Sequence, residues 1–564
     1  MAKTGAQVLV DMLVNKGVEY AFGIPGGAVL PLFDVLYDSP IKLILTRHEQ
    51  GAGHAADGYA RATGKVGVCL ATSGPGATNL TTAIATAFMD SIPMVAITGQ
   101  VRRKFIGSDA FQEADITGIT RPITKHNYLV KDIRDIPRVV NEAFYIASTG
   151  RCGPVVIDLP VDITTESWDG PYPEDNEVHL PGYKPRYQGN PRQIRIAAEA
   201  INNAKKPVVY AGGGIIHSGC HRELLELAEK GNLPVTTTLM GLGGFPEDHE
   251  LSLRMLGMHG TLYANHAVTE CDLLIAIGAR FDDRITGKLD EFAPHAKIIH
   301  IDIDPASISK TIKVDIPVVG DAKNILTELL PLIQQVERKE WHEQIKEWKK
   351  KYRLSYDNNG VLPKPQYIIE QISEITRGKA VIATEVGQNQ MWTAQYYTFT
   401  SPRTLISSGG LGTMGFGFPA AIGAQLGCPD KTVIDIAGDG SFQMNIQELA
   451  TVVHYKLPVK VVIMNNGYLG MVRQWQELFY KKRYSGTHLE DNPDFVKVAE
   501  AYGAKGFRIE RKEEVRPTLE KALAIREPVV IDCKIGQEEN VYPFIPAGKT
   551  VRDAIIEGTF GGMA

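Results

Sequence analysis

The sequence predicts an α/β protein with three domains, each built on a doubly wound parallel sheet. The first observation is length, because 564 residues are enough for three or four ordinary domains. The second is alternation: short apolar strands, such as VGVCLAT (66–72) and PMVAITG (93–99), are separated by helical segments along the chain, which is typical of parallel sheets with helices on both faces. The third is an internal repeat of a Gly-x-Gly turn, a helix and a proline that opens a strand.

The two copies of this repeat lie near opposite ends of the chain. Gly76 and Pro93 are 17 positions apart, and Gly440 and Pro458 are 18 positions apart. The similar spacing predicts that the first and last domains share one topology. The middle unit, with strands such as DLLIAIG (272–278), is predicted to be Rossmann-like.

Changes in composition mark the expected domain boundaries. A proline-rich stretch at 167–190 predicts a surface linker, and a Lys/Glu/Trp-rich stretch at 336–362 predicts a solvated helix that bridges domains. In the middle unit GGG (212–214) follows a strand but does not match GxGxxG, so it indicates only a tight turn. These breaks predict domains at 1–166, 191–335 and 363–540, and a tail at 541–564 that could cover a ligand site.

Composition excludes several classes of function. Hydrophobic residues make up 44% and charged residues 22% of the chain, as in globular proteins, and the net charge of −5 argues against nucleic acid as a partner. No apolar run is long enough to cross a membrane, and the N-terminus lacks a signal or transit pattern. The six cysteines are scattered without a CxxC pair, which indicates buried thiols in a reducing compartment. We therefore expect a cytoplasmic protein.

The pattern richest in chemistry begins at Gly438. The apolar strand KTVIDIA (431–437) runs into Gly-Asp-Gly, a helix is expected from Asn445 to Lys456, and the strand VKVVIM ends in two asparagines. Because neighbouring parallel strands bring their carboxyl ends to one edge of the sheet, Asp439 and Asn466 should meet there. A carboxylate, an amide oxygen and a diphosphate suit Mg²⁺, although Asp-Gly and Asn-Gly, taken singly, are also common turns.

Gly-Asp-Gly, 24 further residues and Asn-Asn resemble the signature of the thiamine-diphosphate (ThDP) enzymes. The resemblance implies that Asp439, Asn466 and the backbone carbonyl of Tyr468 hold Mg²⁺ on the cofactor's diphosphate. RHEQGAGHAADGYAR resembles the superfamily's pyrimidine-domain motif. It implies that Glu49 binds the aminopyrimidine ring and favours the tautomer that deprotonates the thiazolium C2; without the motif, Glu49 would be an ordinary first-turn residue stabilised by the helix dipole.

Further segments resemble the ThDP-binding parts of this superfamily. GQNQMW (387–392) resembles the loop facing the diphosphate, and SSGGLGTMGFGFPAAIGA (407–424) resembles the segment that holds the thiazolium ring. Met414 would be the apolar wedge that bends ThDP, whereas a methionine in an apolar run is ordinarily core filling. The resemblance assigns to ThDP, besides Glu49 and Met414, the following residues: Gly387, Gln388, Asn389, Gly412, Gly440, Ser441, Gly470 and Met471.

Five motifs resemble one branch of the superfamily, the large catalytic subunit of biosynthetic acetohydroxyacid synthase (acetolactate synthase). They are FQEADI (111–116), RCGPVVIDLP (151–160), GMHGT (257–261), GARFDDRITG (278–287) and NNGYLGMVRQWQ (465–476). The resemblance covers essentially the whole chain. It implies that pyruvate is decarboxylated on ThDP and that the hydroxyethyl carbanion is transferred to pyruvate, giving 2-acetolactate, or to 2-oxobutyrate, giving 2-aceto-2-hydroxybutyrate. This is the first common step of valine, leucine and isoleucine biosynthesis.

The same resemblance assigns the substrate site. Arg284 would bind the acceptor's carboxylate, since guanidinium groups grip carboxylates bidentately; by composition alone it would be a surface ion-pair residue. Trp475 would pack on the extra methyl group of 2-oxobutyrate; by periodicity alone it would be a core aromatic. Gln112, counted with Glu49 and Met414 as catalytic, would line this site with Gly26, Gly27, Phe111 and Met258. Pro93, Asp283 and Trp475 match positions of a channel where inhibitors bind.

The resemblance also implies FAD and protein partners. FAD would contact Arg151, His259, Gly260, Thr261, Gly278, Arg280, Asp302, Asp304 and Asp321, whereas the residues by themselves show only an α/β unit. In the superfamily the glutamate comes from one subunit and the diphosphate site from another, which implies a homodimer or tetramer with active sites at the subunit interface. A small regulatory subunit is also implied.

Three alternative functions remain at this stage. A catabolic acetolactate synthase lacks flavin and commonly the tryptophan, so Arg151, the RFDDR run and Trp475 favour the biosynthetic type. Pyruvate oxidase is disfavoured because the acceptor-site motifs belong to carboligation. A catalytically dead scaffold subunit should have lost Glu49, Asp439 or Asn466, and all three are present.

Overall fold

The computed structural model describes residues 2–170 and 178–557. Three six-stranded parallel sheets confirm the predicted α/β class. They lie within residues 20–160, 207–319 and 381–534, while the exact domain boundaries stay a prediction. Part of the predicted linker (171–177) and the end of the predicted tail (558–564) lie outside the described residues.

The first domain surrounds a sheet of order β3-β2-β4-β5-β7-β6, in which the edge strand β6 was not predicted. The short strands β1 and β8, at the start and the end of this domain's chain segment, form a separate antiparallel pair. The strands are β1 (Lys3–Thr4), β2 (Tyr20–Gly23), β3 (Lys42–Leu45), β4 (Gly67–Ala71), β5 (Met94–Gln100), β6 (His126–Leu129), β7 (Pro154–Pro160) and β8 (Ser167–Trp168). The helices are α1 (Gly5–Asn15), α2 (Leu30–Tyr37), α3 (Glu49–Thr63), α4 (Pro75–Asn79), α5 (Thr81–Met89), α6 (Ile116–Thr120), α7 (Ile136–Ser148) and α8 (Val161–Thr165).

The central domain has the strand order β11-β10-β9-β12-β13-β14, the 3-2-1-4-5-6 order of a Rossmann-like sheet. Its strands are β9 (Pro207–Ala211), β10 (Val235–Thr237), β11 (Ser252–Met255), β12 (Leu273–Ile277), β13 (Lys297–Asp302) and β14 (Ile316–Val319). Its helices are α9 (Pro191–Asn203), α10 (Gly214–Ser218), α11 (His221–Gly231), α12 (Leu262–Glu270), α13 (Asp283–Thr286) and α14 (Ala322–Leu329).

The helix predicted to be a solvated bridge packs instead against the central domain. It is α15 (Lys339–Lys351). Trp341 and Ile345 are buried in the core of the central domain, and the Trp341 indole donates a hydrogen bond to the Pro207 carbonyl at 3.1 Å. The expectation of a fully solvated helix is therefore wrong. The many lysines and glutamates of this stretch made its apolar face hard to recognise from the sequence.

The last domain repeats the topology of the first, with the order β16-β15-β17-β18-β20-β19. This identity confirms the prediction drawn from the internal repeat. Its strands are β15 (Val381–Thr384), β16 (Leu405–Ser407), β17 (Val433–Gly438), β18 (Lys460–Asn465), β19 (Lys505–Ile509) and β20 (Val529–Lys534). Its helices are α16 (Pro365–Thr376), α17 (Gln388–Tyr396), α18 (Gly417–Gly427), α19 (Asp439–Gln443), α20 (Leu449–His454), α21 (Gly470–Phe479), α22 (Phe495–Tyr502) and α23 (Val515–Ala524).

The first and last domains are joined by close packing of α3 against α18. A Cβ added at Gly58 would lie 2.1 Å from the Ala420 carbonyl oxygen, and one at Gly423 would lie 1.8 Å from that of Ala55. Only residues without a side chain allow the two helices to approach so closely. Among the described residues, no helix is long and apolar enough to cross a membrane.

Candidate active site

The predicted metal-binding residues lie together at the carboxyl ends of β17 and β18, which are adjacent and parallel. Asp439 is only 1% exposed, and one of its oxygens accepts hydrogen bonds from the Gly467 N–H at 3.0 Å and the Asn492 amide at 2.6 Å. Asn466 accepts a bond from the Tyr468 N–H at 3.1 Å. Burial raises the pKa of Asp439 to about 6, because a desolvated carboxylate is costly until a cation offsets it.

The helix predicted between these two strands is broken into pieces. Asp439 begins the short helix α19, a 3-10 turn covers Ile446–Glu448, and α20 follows. The predicted helix at 445–456 is therefore wrong at both ends. Asn445 lies at the break, and its side-chain amide donates a hydrogen bond to the Gly415 carbonyl at 2.5 Å. A contact with a distant part of the chain is therefore found where a continuous helix was predicted.

The residues predicted to face the diphosphate surround this edge. The side-chain amide of Gln388 lies 3.3 Å from that of Asn466, and a Cβ at Gly470 would lie 2.1 Å from Gln388 Oε1. Asn389 donates to the Glu385 and Ile436 carbonyls at 3.1 and 2.7 Å. The Ser441 hydroxyl pairs with the backbone of Gly438. Gly440 lies in α19, and Gly387 directly precedes α17.

Two buried acids beneath the segment 407–424 were not predicted. The Glu385 carboxylate accepts hydrogen bonds from the N–H groups of Gly415 at 2.6 Å and Phe418 at 3.1 Å, directly after Met414. Burial raises the pKa of Glu385 to about 7 and that of neighbouring Asp435 well above its ordinary value. Glu385 directly follows the apolar strand β15 and Asp435 lies within the adjacent apolar strand β17, and an acid in such a setting is the sequence signal that could have revealed them.

Glu49 lies in a second half of the site, in the first domain. It begins α3 at the carboxyl end of β3, and the Asn79 amide donates to its carboxylate at 3.0 Å. Gly76 leaves room for it, since a Cβ there would lie 3.3 Å from Glu49 Oε1. Neither residue was predicted to lie at the site, because Asn79 belongs to no local motif and Gly76 was used only as part of the internal repeat.

The predicted Gln112, Phe111 and Gly26 lie near the Glu49 half of the site. A Cβ at Gly74 would lie 2.8 Å from the Gln112 carbonyl oxygen, and one at Gly26 would lie 2.5 Å from Thr72, which also borders Gly76. Gln112 has a φ of +60°, a left-handed conformation that is costly for a residue with a side chain. Phe111 beside it is 89% exposed, and Gly27 has open space around its Cα.

Within one chain, no hydrogen bond or ion pair among the described residues joins Glu49 directly to Asp439, Asn466 or Met414. Large apolar side chains remain exposed on both domains, such as Phe111 on the first and Met444 and Phe479 on the last.

A cavity of about 650 Å³ lies between the three domains. It brings together most residues predicted to bind FAD and acceptor, together with the Gly409–Gly412 stretch of the last domain. Arg284, Met258 and Trp475 share its wall. The predicted residues that line it are Arg151, Met258, His259, Gly278, Arg280, Asp283, Arg284, Asp302, Asp321, Gly387, Gly412, Met471 and Trp475.

Three predicted flavin contacts, Gly260, Thr261 and Asp304, are not among the residues that line this cavity. Thr261 caps α12 and donates its hydroxyl to the Leu253 carbonyl. Gly260 packs on backbone, since a Cβ would lie 2.4 Å from Met255 and Leu256 atoms. Asp304 forms an ion pair with Arg151 of the cavity wall at 3.4 Å.

The described part of the tail packs against two residues of this cavity wall, Met258 and His259. The Ile545 N–H donates to the Met258 carbonyl at 2.8 Å, and the Phe544 ring lies 5.2 Å from that of His259.

Trp475 is half-buried on α21 and lines the cavity, so it is not the core aromatic that periodicity alone would suggest. Arg284 keeps only a weak ion pair, at 4.0 Å from Asp283.

Comparison with known proteins covers nearly the whole chain. Residues 3–119, 194–329 and 385–533 match the N-terminal TPP binding, central and C-terminal TPP binding domains of thiamine pyrophosphate enzymes. A probable acetolactate synthase large subunit from Methanocaldococcus jannaschii is 53% identical over 96% of this chain and 94% of the relative. The chain belongs to the acetolactate synthase large-subunit family. The acetolactate synthase large subunit of Haemophilus influenzae is 49% identical over 98% of this chain and 98% of the relative. That of Porphyra purpurea is 51% identical over 97% of this chain and 94% of the relative.

The matched domain models cover both parts of the candidate site. The matched TPP binding domains are the two that hold Glu49 and Asp439. The matched central domain holds most of the cavity wall predicted to contact FAD.

Proposed function

We propose that this chain is the catalytic subunit of a biosynthetic acetohydroxyacid synthase, which condenses pyruvate with pyruvate or 2-oxobutyrate and releases CO₂. The observation that carries the proposal is the shared cavity wall of Arg284, Met258 and Trp475 beside the Gly409–Gly412 stretch. A cation, a flexible apolar side chain and an aromatic plane complement the carboxylate, carbonyl region and alkyl group of a 2-oxo acid. The products are 2-acetolactate and 2-aceto-2-hydroxybutyrate.

The residues of the last domain fit a magnesium diphosphate. Asp439 and Asn466 offer oxygens at one sheet edge, the Tyr468 carbonyl follows, and the high pKa of Asp439 indicates a carboxylate that a cation would stabilise. When bound, ThDP supplies the electron sink for decarboxylation and for carbon–carbon bond formation. The chain's own task here is to hold the diphosphate and so fix the position of the reacting ring.

Glu49 would hold the other end of the cofactor. Its carboxylate is oriented by Asn79 and can accept a hydrogen bond from the aminopyrimidine ring. Met414 would support the bent cofactor between the two ends, since Glu385 fixes the backbone directly after it. Gln112 and Gly26 would border the substrate on the Glu49 side.

Three observations support FAD as the ligand of this cavity. Gly212, Gly214 and Gly278 line the cavity without side chains and pack closely, since a Cβ on any of them would meet backbone atoms within 2.6 Å. The buried hydroxyls of Tyr210 and Thr238, two residues of the cavity wall, have no hydrogen-bond partner among the described residues. Arg151, held by Ser91 at 2.9 Å, supplies a cation for the diphosphate.

FAD binding can be tested apart from activity. We expect the protein to quench FAD fluorescence on binding, and Arg151→Ala to weaken FAD affinity about tenfold, ~1.4 kcal/mol, because a cation at the diphosphate is lost. Lys205→Ala, which removes an exposed cation of the central domain outside the cavity, is the control and should bind FAD like the wild type. Absence of quenching in the wild type would exclude FAD.

The separation of the two half-sites supports a homodimer or a tetramer of such dimers. In this arrangement Glu49 of one subunit would meet Asp439 and Asn466 of the other, and the exposed apolar side chains near both halves would be covered. The relatives are named large subunits, which supports a small regulatory subunit as a further partner.

A stoichiometric assay tests the proposed reaction. With pyruvate alone, ThDP and Mg²⁺, we expect one CO₂ and one 2-acetolactate for each two pyruvate molecules consumed. Acetaldehyde in place of acetolactate would contradict the carboligase assignment. Oxidation of pyruvate to acetate or acetyl phosphate would indicate an oxidase.

Substitution of Trp475 should change the choice of acceptor. Trp475→Leu is expected to lower the ratio of 2-aceto-2-hydroxybutyrate to 2-acetolactate about tenfold, since the contact with one methyl group is worth ~1–3 kcal/mol. Acetolactate formation should be largely spared. Tyr502→Leu, an exposed aromatic position on α22 of the same domain and outside the cavity, is the control and should keep the ratio. An unchanged ratio in Trp475→Leu would remove Trp475 from specificity.

A further inference from the structure

Glu448 connects the two half-sites of one chain. It ends the 3-10 turn Ile446–Glu448 that follows α19, and it is 0% exposed. Its Oε1 accepts hydrogen bonds from the backbone N–H groups of Arg47 at 3.0 Å and His48 at 3.1 Å. These are the two residues directly before Glu49, 400 positions away in the sequence.

The carboxylate is itself held in place. Its Oε2 accepts the hydroxyl of Thr451 at 2.6 Å, so both oxygens are engaged. Burial raises the pKa of Glu448, and three hydrogen-bond donors, the two N–H groups and the Thr451 hydroxyl, define the orientation of its carboxylate. No role in the proposed chemistry requires Glu448 to contact substrate or cofactor.

The start of α3 is shaped to receive this carboxylate. A Cβ at Gly51 would lie 2.5 Å from Glu448 Oε1, so glycine is needed in the first turn. The His48 ring accepts a hydrogen bond from the Gln50 N–H at 3.1 Å. Glu448 accepts the backbone N–H groups of Arg47 and His48, which precede the helix. The first N–H groups of a helix have no partner within the helix, and here the last domain supplies one from outside.

We propose that Glu448 is a positioning residue for Glu49: it fixes the N-terminus of α3, and hence the direction from which the Glu49 carboxylate meets the aminopyrimidine ring. The inference rests on the proposed function. Its effect reaches the reaction only through Glu49. Misplacement of a catalytic group by about 1 Å can cost about 100-fold in rate, so a buried hydrogen-bonded support of this kind is expected to matter.

The test measures the exchange of the thiazolium C2 proton of bound ThDP for deuterium, without substrate, beside the affinity for ThDP. In Glu448→Ala we expect exchange to slow by about 10- to 100-fold, with ThDP affinity within about threefold of the wild type, because the diphosphate site is untouched. Glu448→Gln keeps an oxygen for both N–H groups and an amide for Thr451, so its exchange rate should stay within about threefold.

Two further variants separate positioning from folding. Gly51→Ala places a methyl group against Glu448 Oε1 in a residue type favourable to helices and should also slow exchange. Tyr455→Phe is the matched control: its hydroxyl accepts the Leu45 N–H at 2.8 Å and donates to the Leu43 carbonyl at 3.2 Å, so it removes domain contacts of the same kind on the strand before Glu49. Its exchange rate should be close to wild type.

Several outcomes would overturn the proposal. They are wild-type exchange in both Glu448→Ala and Gly51→Ala, equal loss in Glu448→Gln and Glu448→Ala, or a loss of ThDP affinity that matches the loss of exchange. Equal slowing in Tyr455→Phe would also overturn it, because any loosened domain contact would then suffice. Failure of the wild type to bind ThDP or to accelerate exchange would instead contradict the proposed function.

Discussion

Glu49→Gln is expected to lower kcat by about 10²- to 10⁴-fold, the usual contribution of acid–base catalysis, while the protein stays folded and binds ThDP. Glutamine keeps the size of the side chain and an oxygen for the Asn79 amide, which lies 3.0 Å from the Glu49 carboxylate. It loses the charge that favours the reactive tautomer of the aminopyrimidine. The measurement is kcat, beside ThDP affinity and the melting temperature.

A carboxylate on the surface of the same domain provides the control for this prediction. Asp34 lies exposed on α2, and Asp34→Asn makes the same change in charge without touching the site. It should leave kcat unaltered. Turnover close to wild type in Glu49→Gln would refute the role of Glu49.

Asp439→Ala should weaken Mg²⁺-dependent ThDP binding by about 100-fold or more, ~3 kcal/mol. The substitution removes a metal ligand and leaves the Gly467 N–H and the Asn492 amide without their acceptor; each such loss costs ~1–3 kcal/mol. Calorimetric titration of ThDP at saturating Mg²⁺ measures the effect.

Asp439→Asn separates charge from packing. It keeps an acceptor for the Gly467 N–H and restores most of the fold stability, but it lacks the charge that Mg²⁺ requires. ThDP affinity should therefore remain low although the melting temperature recovers. An affinity unchanged in both variants would exclude Asp439 as a metal ligand.

The same two variants test the division of the site between subunits. In a random mixture of Glu49→Gln and Asp439→Ala chains, half of the dimers are mixed, and each mixed dimer has one intact site of two. Activity should return to about a quarter of the wild-type value in a symmetric dimer. No recovery would show that each chain completes its own site.

The sequence predicted the fold class and the site motifs because these are encoded locally. Gly-Asp-Gly after one apolar strand and Asn-Asn after another lie at neighbouring strand ends in the structure. The repeat of Gly-x-Gly and proline anticipated two domains with the same strand order. The family resemblance added the assignments that spacing alone could not make.

The features that sequence reasoning missed depend on distant parts of the chain. Glu448 meets the residues before Glu49 across 400 positions, and no local pattern encodes such a pair. The edge strand β6 is HNYL, too polar and short for a buried-strand pattern. Asn492 lies in a loop, and its bond to Asp439 arises only from the fold.

Carboligation with an acceptor preference set by this cavity can be tested by competition between the two acceptors. The protein is given pyruvate and 2-oxobutyrate at equal concentrations, with ThDP, Mg²⁺ and FAD, and both products are quantified; omission of FAD forms the second arm. We expect mainly 2-aceto-2-hydroxybutyrate, with formation that depends on FAD. Acetolactate alone, formed equally well without FAD, would contradict it and place the chain among the catabolic enzymes.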